Sequence, residues 1–222
     1  MKIIKVKSYE EMSALAAKLI AEQIKEKPNS VLGLATGSTP IGTYERLVGL
    51  DFSRVKTFNL DEYCGLKRGH SQSYYYFMME NLFSHINIKK NNINFPTEKN
   101  PEKYDDKITR AGGIDLQLLG VGSNGHIGFN EPDDVFHNLT RIVKLADSTV
   151  KDNARFFDNI KDVPKTAISM GIGTIMATRK IVLVADKNKA HIIKELEKPV
   201  VSPQLPCSIL HYHPDCTIIC VM

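Results

Sequence analysis

Between residues 120 and 132 the chain reads Gly-Val-Gly-Ser-Asn-Gly-His-Ile-Gly-Phe-Asn-Glu-Pro, directly after the apolar run 114–119. Glycines at 120, 122, 125 and 128 let backbone approach a ligand closely, and Asn124, His126, Asn130 and Glu131 ride on the same loop. An imidazole with a carboxylate nearby suits proton transfer near neutral pH. Gly120-x-Gly122-x-x-Gly125 also matches the dinucleotide fingerprint, which needs a helix at its last glycine and an acid about 20 residues on. Pro132 and Asp133-Asp134 close the segment instead, and no acid ends a strand near Arg141. A loop that hydrogen-bonds a small polar ligand is the better reading.

Other chemistry-bearing residues follow predicted strands. Thr36-Gly37-Ser38-Thr39-Pro40 lies between an apolar run and a helical pattern, an arrangement that favours a bound anion through unpaired N–H groups at a helix start. The same residues suit an ordinary strand-to-helix turn capped by Ser38 or Thr39. Asp61 follows the run 55–60 and sits on the ligand-binding edge of an open α/β sheet, although an isolated acid there also caps turns. Lys189 falls at the start of a helical pattern, where a cation is disfavoured unless an anion visits. His211-x-His213-x-Asp215-Cys216 reads as a turn before a strand rather than a metal site, because Pro214 interrupts it and no second ligand pair is evident.

The elements that must position these residues alternate. Strands are predicted at 3–6, 31–35, 55–60, 114–119, 139–145, 166–171, 181–185 and 217–221, the last closing the sheet. A capping box, Ser8-x-x-Glu11, opens a helix with Met12, Leu15, Ala16, Leu19, Ile20 and Ile24 on one face. Pro40 begins a second helix marked by Tyr44, Leu47 and Val48; Tyr75, Met79, Leu82 and Ile86 form the stripe of a third over 74–86. Helices are also predicted over 101–110, over 173–179 and after Lys189. Residues 147–157 suit a helix presenting Arg155, and the mixed polarity of 139–165 suits a mobile cover over a site. The implied fold is a Rossmann-like, doubly wound α/β domain covering residues 1–222, with a mostly parallel sheet and helices on both faces.

With 222 residues, 42% hydrophobic and 24% charged, the composition is that of an ordinary globular chain. A net charge of +4 without a like-charge block argues against nucleic acid and suits an anionic small molecule. The charged start Met1-Lys2-Ile3-Ile4-Lys5 is no secretory segment and no apolar run spans a membrane, so the expectation is a cytoplasmic protein without a membrane partner. Four cysteines without paired spacing are expected as reduced thiols.

Converging strand ends thus predict a phosphate held by a helix start and basic side chains, a carboxylate base and a histidine backed by an acid. That equipment serves proton transfer on a phosphorylated sugar. It does not by itself separate an isomerase, a lactonase and a deaminase.

Four motifs together, Leu34-Ala35-Thr36-Gly37-Ser38-Thr39-Pro40, Thr57-Phe58-Asn59-Leu60-Asp61-Glu62-Tyr63, Gly122-x-x-Gly125-His126-Ile127-x-Phe129-Asn130-Glu131-Pro132 and Ser169-Met170-Gly171-Ile172-Gly173-Thr174, resemble the glucosamine-6-phosphate deaminase family across nearly the whole chain. The resemblance implies conversion of glucosamine 6-phosphate and water to fructose 6-phosphate and ammonia in amino-sugar catabolism, with neither metal nor organic cofactor. It implies Asp61 as the base moving a proton between C2 and C1, His126 assisting ring opening, and Glu131 orienting it. Thr36, Gly37, Ser38 and Thr39 would cradle the phosphate, with Arg155 and Lys189 as charged partners. A lactonase acting on 6-phosphogluconolactone and a non-catalytic sugar-phosphate-binding module are the alternatives.

Two departures from the family pattern matter. Asn124 stands where many members carry aspartate; a carboxamide bonds an imidazole without stabilising imidazolium by a full charge, so His126 is expected to depend chiefly on Glu131. Val143 stands where members activated by N-acetylglucosamine 6-phosphate carry a basic residue. No such activation is expected, and a monomer is favoured over a homo-oligomer.

Overall fold

Seven strands form one parallel sheet in the order β1-β10-β9-β6-β2-β3-β5. They are β1 (Lys2–Val6), β2 (Val31–Leu34), β3 (Lys56–Asn59), β5 (Ile93–Asn94), β6 (Leu116–Leu119), β9 (Lys180–Ala185) and β10 (Cys216–Val221). The computed structural model describes residues 1–146, 149–151, 154, 157 and 159–222, the side chain of Ile160 apart. The doubly wound α/β architecture expected from the alternation of elements is present.

Strand residues alternate between two cores, as a pleat with both faces covered requires. Val31, Leu119, Ile181, Leu183 and Ile218 face one, with Tyr104 and Ile108 of α4 (Glu102–Arg110), Ile172 and Ile175 of α5 (Ile172–Met176), and Ile193 of α6 (Ala190–Leu196). Leu32, Leu34, Leu116, Val182 and Ile219 face the other, with Met12, Ala16 and Ile20 of α1 (Tyr9–Glu26), Tyr44 of α2 (Ile41–Glu45) and Met78 of α3 (Tyr74–Asn81).

Several local expectations are corrected. The capping box at α1 is offset: Ser8 Oγ accepts from Glu11 N at 3.2 Å, but Glu11 Oε2 accepts from Lys7 N at 2.8 Å, one residue before the cap. The helix at α2 is only five residues long, so Val48 escapes the core and is 49% exposed, whereas Tyr44 and Leu47 are fully buried. In α3 the most buried methionine is Met78, not Met79, and the chain continues as a 3-10 turn at Phe83–His85. Strand β10 lies between β1 and β9 rather than at the edge.

The larger correction is a second sheet. β4 (Asp61–Tyr63), β8 (Thr166–Ser169) and β7 (Arg141–Lys144) pair antiparallel in the order β4-β8-β7. Two of the strands predicted for the parallel sheet therefore leave it. Leu60 marks the transfer: its N–H donates to Leu34 O in the first sheet, and its carbonyl accepts from Met170 N at the end of β8.

Candidate active site

β2 leads to β3 on one side of the sheet, whereas its other neighbour, β6, leads to β9 on the opposite side. Connections that diverge from adjacent parallel strands open a crevice at their carboxyl ends. The loop after β2 and the loop after β6 both line a cavity of about 670 Å³ there. Thr36, Gly37, Ser38, Thr39, Asp61, His126 and Lys189 all reach it. Arg155 lies outside the described residues.

The first loop is built for close approach. Gly37 has φ +104°, and beyond it Tyr9 of α1 reaches in, its hydroxyl donating to Ser38 O at 3.2 Å and accepting from Gly42 N at 2.8 Å. Neither Ser38 nor Thr39 caps α2, which has no side-chain cap, so the capped-turn alternative does not describe this loop. A five-residue helix carries little macrodipole. The loop's own N–H groups and hydroxyls face the same cavity that Lys151 and Lys189 line.

Asp61 opens β4, paired with Ser169, and neither caps a turn nor ends a parallel strand. It is buried, and burial, reinforced by the neighbouring Glu62 charge, pushes its carboxyl up to about 8. No ion pair reaches it among the described residues. Glu62, next along, points away and accepts from Tyr63 N, Tyr74 N and Tyr75 N at 2.8–2.9 Å, fastening the start of α3 to β4. This fixes Tyr74, which stacks on Phe129 with ring centroids 5.9 Å apart and lines the cavity near Asp61. The Asp-Glu-Tyr run thus divides its work between a cavity-facing acid and a structural one.

His126 is held from behind. Its Nδ1 lies 2.7 Å from Asn124 Oδ1 and 3.4 Å from Glu131 Oε2. Asn124 Nδ2 donates to Glu131 Oε2 at 2.6 Å. A carboxylate can only accept, so the amide's NH₂ must face Glu131 and its oxygen must face the ring. Nδ1 therefore carries a proton, and Nε2 is the nitrogen left for proton exchange. Asn124 is the nearer partner of the ring, and Glu131, on which His126 was expected chiefly to depend, lies within ion-pair distance of the same nitrogen. Burial pushes the Glu131 carboxyl up, but the His126 bond and charge, with Thr149 and Asn124, outweigh this and bring it down to about 2. Asn124 and Glu131 stand behind the cavity wall rather than in it.

The glycines of this loop have separate reasons. A Cβ on Gly122 would lie 2.1 Å from His126 Cε1 and 2.3 Å from Nε2, so the imidazole packs flat on that backbone. Gly128, with φ +57°, carries the chain past Ser169 Oγ, which accepts the Phe129 N–H at 2.9 Å.

Sequence reasoning missed Tyr74, Lys151 and Thr149 as cavity residues. Tyr74 opens the predicted helix over 74–86, whose aromatics read as core; Lys151 and Thr149 belong to a segment without strong periodicity, so nothing local marks them. His213 is buried and structural, with Nε2 2.9 Å from Thr178 O and Nδ1 accepting from Asp215 N. The four cysteines are free thiols. No cluster of three or more His, Cys, Asp or Glu able to hold a metal occurs among the described residues. Among the same residues, no helix is long and apolar enough to cross a membrane.

The fold is an α/β domain with a cavity at the switch point of its parallel sheet, lined by a buried carboxyl, an imidazole and two lysines. The chain belongs to the family of glucosamine-6-phosphate isomerases and 6-phosphogluconolactonases, whose model matches residues 5–219. Within it the chain groups with the deaminases. Glucosamine-6-phosphate deaminase of Thermoanaerobacter pseudethanolicus is 53% identical over 99% of this chain and 92% of its own length; that of Lachnoclostridium phytofermentans is 52% identical over 99% of each. A solved structure of a monomeric glucosamine-6-phosphate deaminase superposes with TM-score 0.97 at 41% identity, covering 100% of this chain and 97% of the other. A 6-phosphogluconolactonase from Thermotoga maritima shares the fold, with TM-score 0.76 at 20% identity.

Proposed function

We propose that the chain converts glucosamine 6-phosphate and water to fructose 6-phosphate and ammonia. The observation that carries this reading is a buried carboxyl, Asp61, on the wall of a cavity that also holds His126 and the 36–39 loop. Identities above 50% to deaminases over nearly the full chain support it.

In this reading residues 36–39 and Lys189 hold the phosphate. His126 exchanges a proton with the ring and anomeric oxygens through Nε2 as the sugar opens. Asp61 then removes the C2 proton of the open aldose, leaving an enolamine, and returns a proton to C1. The product is an imine at C2; water adds to that carbon, ammonia leaves, and fructose 6-phosphate remains. A substrate ammonium at C2 favours the ionised form of Asp61, offsetting the burial that holds its proton in the empty site. Arg155 adds a further phosphate cation in this proposal, on the family resemblance alone.

We further take the enzyme to act as a monomer in the cytoplasm. The relative at TM-score 0.97 is a monomeric glucosamine-6-phosphate deaminase, and the curated relatives carry the same enzyme name.

Ammonia release from glucosamine 6-phosphate tests the activity directly, with wild type and Asp61→Asn side by side. Turnover lost in the variant supports the assignment. Hydrolysis of 6-phosphogluconolactone without ammonia would indicate a lactonase, and tight binding of the sugar phosphate without turnover in wild type a binding module.

A further inference from the structure

Thr149 has no part in the reaction as described, yet it touches both the cavity and the acid behind His126. Its side chain is 4% exposed and lines the cavity wall, and its hydroxyl donates to Glu131 Oε1 at 2.5 Å. The other carboxylate oxygen, Oε2, accepts from Asn124 Nδ2 at 2.6 Å and faces His126 Nδ1 at 3.4 Å.

We propose that Thr149 is a positioning residue for His126, fixing which oxygen of Glu131 is presented to Asn124 and the imidazole. The inference rests on the deaminase reading, because it takes Glu131 as the acid that supports ring opening. A carboxylate turns readily about its Cγ–Cδ bond, and its two oxygens are otherwise equivalent. With Oε1 committed to Thr149, only Oε2 is left for the Asn124 carboxamide. That carboxamide in turn has one orientation, oxygen toward the ring, and the ring one tautomer. A single hydroxyl thus propagates through three side chains to the nitrogen that meets substrate.

The arrangement also couples two parts of the fold that are distant in sequence. Glu131 follows β6, in the parallel sheet, whereas Thr149 follows β7, in the antiparallel one. Their hydrogen bond joins the loop after β6 to the segment after β7. A donor to a partly buried carboxylate is charge-assisted, stronger than a neutral bond, and its removal leaves an acceptor with one partner fewer. Thr149 is one of the groups that keep Glu131 ionised against its burial.

The test compares Thr149→Val, nearly isosteric without the donor, and Thr149→Ser, which keeps it. Ammonia release is measured across pH, and the Glu131 carboxyl is titrated by carbon NMR. In Thr149→Val, kcat is expected to fall about tenfold, the factor for one charge-assisted hydrogen bond. KM stays within about twofold, and the Glu131 titration moves to higher pH as its ionised form loses a donor. Thr149→Ser restores both. An unchanged kcat and titration in Thr149→Val overturns the proposal, as does a loss of kcat with no movement of the titration, which marks Thr149 as wall alone. If Thr149→Val does not fold, Thr149→Ala replaces it with the same two readouts. If wild type releases no ammonia, the deaminase reading fails, while the Glu131 titration still decides whether Thr149 governs that carboxylate.

Discussion

His126 Nδ1 lies nearer to Asn124 Oδ1, at 2.7 Å, than to Glu131 Oε2, at 3.4 Å. The ring's nearest acceptor is therefore neutral, with the carboxylate charge beside it at the longer distance. Asn124→Asp would place a carboxylate against the imidazole and, at the 2.6 Å contact, against Glu131 as well. The added negative charge favours imidazolium, so unprotonated imidazole is reached at higher pH. The acidic limb of kcat, which reports the enzyme–substrate complex in which the substrate ammonium keeps Asp61 ionised, is expected to move upward, by about one pH unit for a charge at this distance, with thermal stability reduced by the carboxylate pair. A pH series of initial rates decides it; an unmoved limb counts against the role given to His126.

Asp61 gives two linked expectations from one cause. Burial pushes its carboxyl up to about 8, so kcat/KM, which reports the free enzyme, should rise with pH until near that value. The same shift has a sign for stability. A carboxyl whose folded pKa exceeds its unfolded value of 3.8 stabilises the fold fully below that value and loses its contribution as pH rises to about 8. Asp61→Asn should therefore abolish turnover yet gain in Tm over wild type progressively from about pH 4 to pH 8, by several degrees in all. Calorimetry of both proteins at pH 4 and pH 8 tests it, and a pH-independent difference in Tm would contradict the burial argument.

The parallel sheet was legible because both of its faces are covered, so short apolar runs such as Val31–Leu34 stand out between glycines and prolines. The antiparallel sheet was not. Asp61 to Tyr63 mixes two acids with an aromatic and has no alternation, because its pairing is set by β8, about a hundred residues on. The site residues 36–39, Asp61, His126 and Lys189 were readable as strand-end chemistry, and the coordinates bring them to one cavity. The order of contacts behind His126 was not readable, because which of Asn124 and Glu131 lies nearer the ring leaves no trace in spacing. Thr149 was hidden for the same reason.

Gly122 and Gly171 separate a functional glycine from a structural one. At Gly122 an added Cβ meets the His126 ring at 2.1–2.4 Å; at Gly171 it meets the Asn138 and Leu139 backbone at 2.5 Å. A side chain on a cavity wall can swing aside, whereas backbone cannot. Gly122→Ala is expected to cost about a hundredfold in kcat by displacing the imidazole, with little change in Tm. Gly171→Ala is expected to cost about 1–3 kcal/mol of stability instead. Denaturation curves and kcat for the pair check the contrast; equal losses of stability would refute it.

Lys189 and Lys151 are the lysines among the described lining residues, placed with the 36–39 loop around one cavity. Lys189 stands at the N-cap of α6, where a fixed positive charge opposes the helix dipole. Lys189→Ala is expected to raise KM for glucosamine 6-phosphate about tenfold or more with a smaller change in kcat. Lys151, exposed at the rim, should act mainly at long range, so that Lys151→Ala raises KM about two- to threefold at low salt and has no effect at high salt. Steady-state kinetics at two ionic strengths separates the two lysines. A KM for Lys189→Ala that matches wild type under both conditions would remove it from the phosphate site and leave residues 36–39 without the cation assigned to them.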